Sequence, residues 1–163
     1  MLRNNLLRKL TVTMEMEIKT KVIKDAETFD EFRALLKVAG LPHTDLDFRN
    51  HILIGYYDEE KLIGTGALEI YKPYALLRSL AVSDSMRGQS LGSKITDDLI
   101  KEAKKNDIKR IYLLTETARL FFKRKGFKDI ERSNAPTQVK SSSEFSSVCS
   151  DTAVCMEYVI GTV

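Results

Sequence analysis

Residues Leu76–Gly92 read LLRSLAVSDSMRGQSLG. The apolar stretch Leu76 to Val82 predicts a strand, and a turn follows it. Arg87, Gly88, Gln89, Ser90, Leu91 and Gly92 then form a basic, glycine-containing loop that opens directly into an amphipathic helix. Such a strand–loop–helix junction is an anion cradle: the first N–H groups of a helix lack intrahelical acceptors, and the helix dipole favours negative charge there. Gly88 and Gly92 let a ligand approach the main chain. No Gly-Lys-Ser/Thr ending is present, and RGQSLG lacks the G-x-G-x-x-G spacing, so neither common nucleotide-binding loop fits. The plainer alternative is a corner turned ahead of a surface helix.

The flanking sequence alternates between strand and helix patterns. Glu17 to Ile23 alternates as a strand does. Asp25 is a helix N-cap, Phe29, Phe32, Leu35, Leu36 and Val38 supply an apolar face, and Gly40 ends the helix. His51 to Tyr57 and Lys61 to Tyr71 read as a hairpin around Asp58-Glu59-Glu60. After the Lys72-Pro73 break comes the strand Ala75 to Val82. Leu91, Ile95, Leu99, Ile100 and Ala103 form the stripe of the main helix, which Asn106 caps. Lys109 to Leu114 is a buried strand, Thr117 to Lys125 a short helix ended by Gly126, and Phe127 to Glu131 a strand. Pro136 to Phe145 is ambiguous, and Val154 to Ile160 closes the chain as a strand.

Composition narrows the function classes. A chain of 163 residues, 43% hydrophobic and 30% charged, fits one globular domain with a real core. A net charge of +3 is too small to argue for nucleic acid, and no apolar run approaches the ~18 residues that span a bilayer. Cys149 and Cys155, with His43 and His51, have no zinc-ligand spacing, so no metal is expected and the thiols read as inert in a reducing cytoplasm. Residues 1–13, MLRNNLLRKLTVT, are basic but short and serine-free; they read as a dispensable extension ahead of one domain, 14–163.

R-G-x-x-x-G after a strand ending L-A-V resembles the pyrophosphate loop of the GNAT acyl-CoA N-acyltransferases, whose pattern is Q/R-x-x-G-x-G/A. Arg87 and Gly92 match; Ser90 stands where glycine is usual, a departure tolerable if its φ stays negative. Ile111 to Phe127, IYLLTETARLFFKRKGF, resembles the strand–helix–GF segment that closes the acetyl-CoA site of these enzymes. The likeness is nearer to amino-acid N-acetyltransferases, including the acetyltransferase domain of N-acetylglutamate synthases. It is nearer still to a bacterial subgroup named arsenic-resistance N-acetyltransferases, through AGLP (Ala39 to Pro42), Leu68-Glu69, LLRS, LLT-x-TA, FF and a tail with Arg132, Ala135-Pro136, Glu144-Phe145, Cys149 and Met156. The resemblance implies an α/β GNAT-like fold, a mixed central sheet splayed at the acetyl-CoA site with helices on both faces. It implies acetyl-CoA as co-substrate and a small amine as acceptor, without nucleic acid or membrane; a homodimer is an open reading.

By the same resemblance Leu80, Ala81 and Val82 offer main-chain groups to the pantetheine arm, Arg87 to Ser93 (Arg87, Gly88, Gln89, Ser90, Leu91, Gly92, Ser93) hold the pyrophosphate, and the Leu80 N–H is the oxyanion donor. The tyrosine that often protonates the leaving thiolate is replaced by Phe122; Thr115 or Thr117 through water, Tyr71 and Tyr74 are alternatives. Phe121 and Phe122 are read either as core or as contacts of the acetyl-pantetheine arm. The charged run Lys123 to Lys125 reads as a solvated face, with Arg124 in reach of a coenzyme A phosphate. Arg78, mid-strand with Leu76 and Leu80 expected on its face, needs a counter-anion. Two readings are open: a clamp on a substrate carboxylate, or a salt bridge to Glu69. Glu69 is the candidate base, with Tyr71 and Thr115 beside the substrate. Opposed to an enzyme stands a non-catalytic acetyl-CoA sensor, which the missing tyrosine favours.

Overall fold

The computed structural model describes residues 16–88, 90–148 and 151–163. The expected extension 1–13, Gln89 and Cys149 lie outside the described residues. Seven strands form one sheet: β1 (Ile18–Val22), β2 (His51–Asp58), β3 (Lys61–Tyr71), β4 (Tyr74–Val82), β5 (Arg110–Thr115), β6 (Lys128–Ile130) and β7 (Val154–Val159). Their order is β1-β2-β3-β4-β5-β7-β6. Every pairing is antiparallel except β4 with β5, which is parallel. The α/β mixed sheet expected from the sequence is therefore present, and its one parallel junction lies at the strand quoted above.

Helices cover both faces. Helix α1 (Ala26–Val38) packs Phe32 and Leu36 onto Ile23, Leu53, Ala67 and Ala81. Asp25 caps it, accepting from the Thr28 N–H at 2.9 Å. Val38, expected on the apolar face, is exposed; it follows the last inward turn at Leu36. On the other face, helix α2 (Leu91–Lys105) buries Leu91, Ile95, Leu99, Ile100 and Ala103 as the stripe requires, with Ile54, Tyr56, Leu68 and Leu77 beneath. Helix α3 (Arg119–Arg124) inserts Phe122 into the same core. The ambiguous stretch forms helix α4 (Thr137–Lys140) and a π-helical turn, Glu144–Val148. Val139 of α4 packs against Leu76, Tyr112 and Cys155.

Gly66 on β3 sets how close α2 lies. A Cβ there would sit 2.6 Å from Cγ2 of Ile95 and 2.9 Å from Cδ1 of Leu99. The helix thus rests on bare main chain, next to the place where β4 departs from regular pairing.

Candidate active site

Two local irregularities build the opening. Parallel pairing of β4 and β5 runs from Tyr74–Arg110 to Leu76–Tyr112 and stops, so the strands separate beyond it. On the β3 side, Arg78 pairs with Ala67 and Ala81 with Thr65, which leaves Ser79 and Leu80 opposite Gly66 alone. This is a β-bulge: an extra residue bends the strand and frees its main chain. Ser79 takes φ 60, an uncommon conformation for a side-chain-bearing residue, and its carbonyl accepts from the Thr65 hydroxyl at 2.8 Å.

The bulge also corrects one expectation. Simple alternation puts Leu76, Arg78 and Leu80 on one face. Instead Leu80 and Val82 pack with Leu77 in the α2 core, while Ala81 joins the α1 core. The added residue flips the alternation, so Arg78 and the Leu80 side chain face opposite ways.

At the start of α2 a cavity of about 600 Å³ is lined by Val82, Met86, Arg87, Gly88, Ser90–Ser93, Phe121, Arg124 and Lys125. Lys94 N donates to Ser90 O at 3.1 Å, so the Leu91, Gly92 and Ser93 N–H groups ahead of it have no intrahelical acceptor. A Cβ at Gly88 would meet nothing within 4 Å, and one at Gly92 only the Phe121 ring at 3.7 Å. Both glycines therefore border the open space of this cavity. Ser90 departs from expectation: its φ is 61, so the serine adopts the left-handed conformation glycine takes freely. Lys125, expected in a solvated face, instead donates to the Ser93 hydroxyl and pairs with Asp97, both at 2.7 Å, tying α3 to the cradle. Arg87 is exposed and pairs with Asp84 at 3.2 Å.

A second cavity, about 160 Å³, lies where β4 and β5 part. Leu77–Leu80, Leu113–Thr115, Thr117, Ala118, Phe122, Leu41, Pro42 and Glu144 line it. The adjacent phenylalanines thus divide: Phe121 lines the outer cavity and Phe122 the inner one. Thr115 lines the inner cavity too, with its hydroxyl accepting from the Ala118 N–H at 3.0 Å.

Behind this cavity sits a buried charge cluster. Three neighbouring strands place His51, Glu69 and Arg78 on one face, and two loops roof them. Asp45, from the α1–β2 connection, takes the Arg78 fork with both oxygens, at 2.6 and 2.7 Å. Glu69 accepts from Arg78 at 3.0 Å and from Tyr71, and lies 3.2 Å from His51 Nε2. Glu144 lies 3.4 Å from Arg78 Nε. Ser143 donates to Asp45 at 2.5 Å. The Arg78 side chain is fully buried.

The sequence-derived roles sort differently on this geometry. The salt bridge between Arg78 and Glu69 is present. The Arg78 fork is not open to a substrate carboxylate, because Asp45 fills it. Tyr71 does not line the inner cavity; its hydroxyl is spent on Glu69. Burial pushes the Glu69 carboxyl up, but the His51 ring close by and bonds from Tyr71 and Arg78 outweigh it and hold it below the ordinary value. A carboxylate so satisfied pulls weakly on a further proton. Burial likewise pushes Asp45 up, yet Arg78 and Ser143 bring it down to about 2. Glu144 goes the other way: burial, opposed by Arg78 and reinforced by Asp45 and Glu69, pushes it up to about 7.

Asp45, His51, Ser143 and Glu144 were not assigned to the site by sequence reasoning. The need of a mid-strand arginine for anions was the available signal, and it does not say which loops bring them. Among the described residues no group of His, Cys, Asp and Glu could hold a metal ion, and no helix is long and apolar enough to cross a membrane. Cys155 is buried, which pushes its thiol up to about 11 and away from thiolate chemistry.

Comparison with known proteins agrees with this architecture. Residues 14–127 match the model of the acetyltransferase (GNAT) family. An amino-acid acetyltransferase of Mycobacterium tuberculosis is 35% identical over 81 residues, 48% of this chain and 45% of that protein; the chain thus spans under half of that relative's length. The structure of N-acetylglutamate synthase from Neisseria gonorrhoeae, complexed with coenzyme A and N-acetyl-glutamate, superposes with a TM-score of 0.73 at 18% identity, covering 91% of this chain and 36% of that one. A PaiA N-acetyltransferase from Thermoplasma acidophilum, in complex with coenzyme A, gives 0.65 at 16% identity, covering 88% and 99%. At these identities the structural likeness is one of fold.

Proposed function

The chain belongs to the acetyltransferase (GNAT) family, and from that premise we propose that it transfers acetyl from acetyl-CoA to the amine of a small molecule, an amino acid or an amino-acid analogue. One observation carries the reading: the α2 N-terminus lines one cavity with Val82 and Phe121, and the bulge at Ser79–Leu80 lines a second, at the parting of β4 from β5, with the neighbouring Phe122.

The residues suit that chemistry. The α2 N–H groups with Arg87, Gly88, Ser90 and Gly92 hold the pyrophosphate, and Arg124 and Lys125 border it. Ala81 and Val82 run beside the pantetheine arm, between Phe121 and the sheet. Leu80, without a register partner, presents its N–H to the thioester oxygen, where charge develops during attack. The acceptor amine meets the thioester in the inner cavity, and the enzyme's largest contribution is to hold the two together. The thiolate departs without a tyrosine, since Phe122 cannot donate. An acceptor carboxylate reaches Arg78 by exchanging with Asp45.

The partial match to an amino-acid acetyltransferase supports an amino acid as acceptor. The finer resemblance read from the sequence is the reason to test amine-bearing arsenicals alongside the amino acids. We take 14–163 as one cytoplasmic domain, with 1–13 dispensable and a homodimer as its candidate assembly.

Release of free thiol from acetyl-CoA, followed across the standard amino acids and amine-bearing arsenicals, tests the function. Turnover with at least one amine is expected, together with calorimetric binding of acetyl-CoA that weakens in Arg87→Ala. Binding without turnover on any amine overturns the transferase reading. Arg78→Lys is expected to raise KM for an amino acid far more than for acetyl-CoA; equal effects on both refute the exchange with Asp45.

A further inference from the structure

We propose that Glu144 is the catalytic base, taking the proton from the acceptor's ammonium in the inner cavity; this rests on the acetyl-transfer reading above. Four observations carry it. First, of the described residues lining the inner cavity only Arg78 and Glu144 are ionisable, and a guanidinium cannot accept. Second, the other carboxylates do not line it: Asp45 is bound by the Arg78 fork and Ser143, and Glu69 by Arg78, Tyr71 and His51. Third, Glu144 is 5% exposed, and the cation beside it, 3.4 Å away, is already shared with two nearer carboxylates. Fourth, the cavity is also lined by Ser79 and Leu80, which have no register partners on β3, so the proton acceptor and the proposed oxyanion donor border one small space.

Charge explains why the site suits a cation. The groups facing Glu144 are Arg78 from β4, Asp45 from the α1–β2 connection, Glu69 from β3 and His51 from β2. The Arg78 guanidinium and the His51 ring face three carboxyl groups, and an arriving ammonium brings a further positive charge beside them. The ammonium gives one proton to Glu144. The freed nitrogen lone pair then forms the C–N bond as the thioester C–S bond breaks, and the second nitrogen proton leaves with the thiolate. Glu144 returns its proton to solvent, so each turnover yields amide, thiol and one proton. Burial among carboxylates raises the group to about 7, which is where a base working near neutrality is most effective.

The test compares the full-length protein with Glu144→Gln by thiol release across about pH 6 to 9. Two acceptors are used: the fastest standard amino acid, which arrives as an ammonium, and methoxyamine, a weak base already neutral at these pH values. In the wild type, kcat/KM for the amino acid should climb as pH rises through about 7 and level off above it. Glu144→Gln, left to use only the free amine present in solution, should lose that levelling and keep rising towards pH 9, with kcat lowered on the order of 100-fold, while turnover of methoxyamine and affinity for acetyl-CoA stay near wild type. Equal losses on both acceptors, or a profile that still levels off above about 7, overturn the assignment. If Glu144→Gln does not fold, Glu144→Asp replaces it: the climb should persist, with a selective loss on the amino acid, and an unselective loss refutes the role. A wild type that binds acetyl-CoA and turns over no amine refutes the transferase reading instead.

Discussion

Replacing Arg78 with Met removes the one cation at the centre of the buried cluster and keeps much of its volume. The side chain is fully buried, and its partners Asp45, Glu69 and Glu144 are 17%, 9% and 6% exposed. Stripping the cation from buried anions costs about 3–5 kcal/mol. Asp45 accounts for part of this: Arg78 and Ser143 together hold it at about 2 against an ordinary 3.8, a difference worth about 2.5 kcal/mol, of which the variant loses the Arg78 share. Because its folded value is depressed, that stability is present above 3.8 and disappears as pH falls through about 2. In Arg78→Met the same carboxylates are raised instead, so the variant regains stability by taking up protons in acid. The gap between wild type and variant should therefore be widest near neutral pH and narrow towards pH 5. Urea unfolding at both pH values reads it directly, and the neutral-pH gap corresponds to roughly 6–20 °C in Tm. A gap under about 1 kcal/mol near neutrality, typical of a surface pair, or one that does not change with pH, refutes the reasoning.

Three further outcomes are expected. Glu144 is raised to about 7 from an ordinary 4.5, so its contribution to stability is complete below 4.5 and lost as pH rises through 7; relative to Glu144→Gln the wild type should lose about 3 kcal/mol over that span, measured by denaturant titration at a series of pH values. Ser90→Gly relieves a left-handed serine at φ 61 and should raise stability by about 0.5–1 kcal/mol, with acetyl-CoA affinity kept or improved; a loss of both contradicts the loop geometry. Gly66→Ala drives a methyl to within 2.6 Å of Ile95 and should cost about 1–3 kcal/mol, seen as a lower Tm, whereas a neutral result means α2 does not bear on β3 there.

Much of the fold was legible because it rests on local periodicity. The α2 stripe, the Asp25 cap and the strand boundaries around the hairpin all follow from side-chain spacing within a few residues. The cradle was legible for the same reason, since the glycines, the arginine and the helix start lie within one short stretch. Pro136 to Phe145 was not. Its short α4 helix and π-helical turn are held by contacts of Val139 and Glu144 with distant strands.

The sequence by itself determined that a strand runs through a glycine-containing loop into a helix start, and that a mid-strand arginine must find negative partners. Tertiary structure alone decided which partners. Asp45 and Ser143 are 98 positions apart and meet only because two loops close over the same face of the sheet. It also decided that Leu80 turns away from Arg78, since a bulge is a property of two paired strands and has no period within one. Burial, finally, separated the three carboxylates: Asp45 and Glu69 lie within reach of several donors, and Glu144 shares one. An isolated glutamate carries no mark of that difference, because proton affinity is set by the desolvation and charge that neighbours impose.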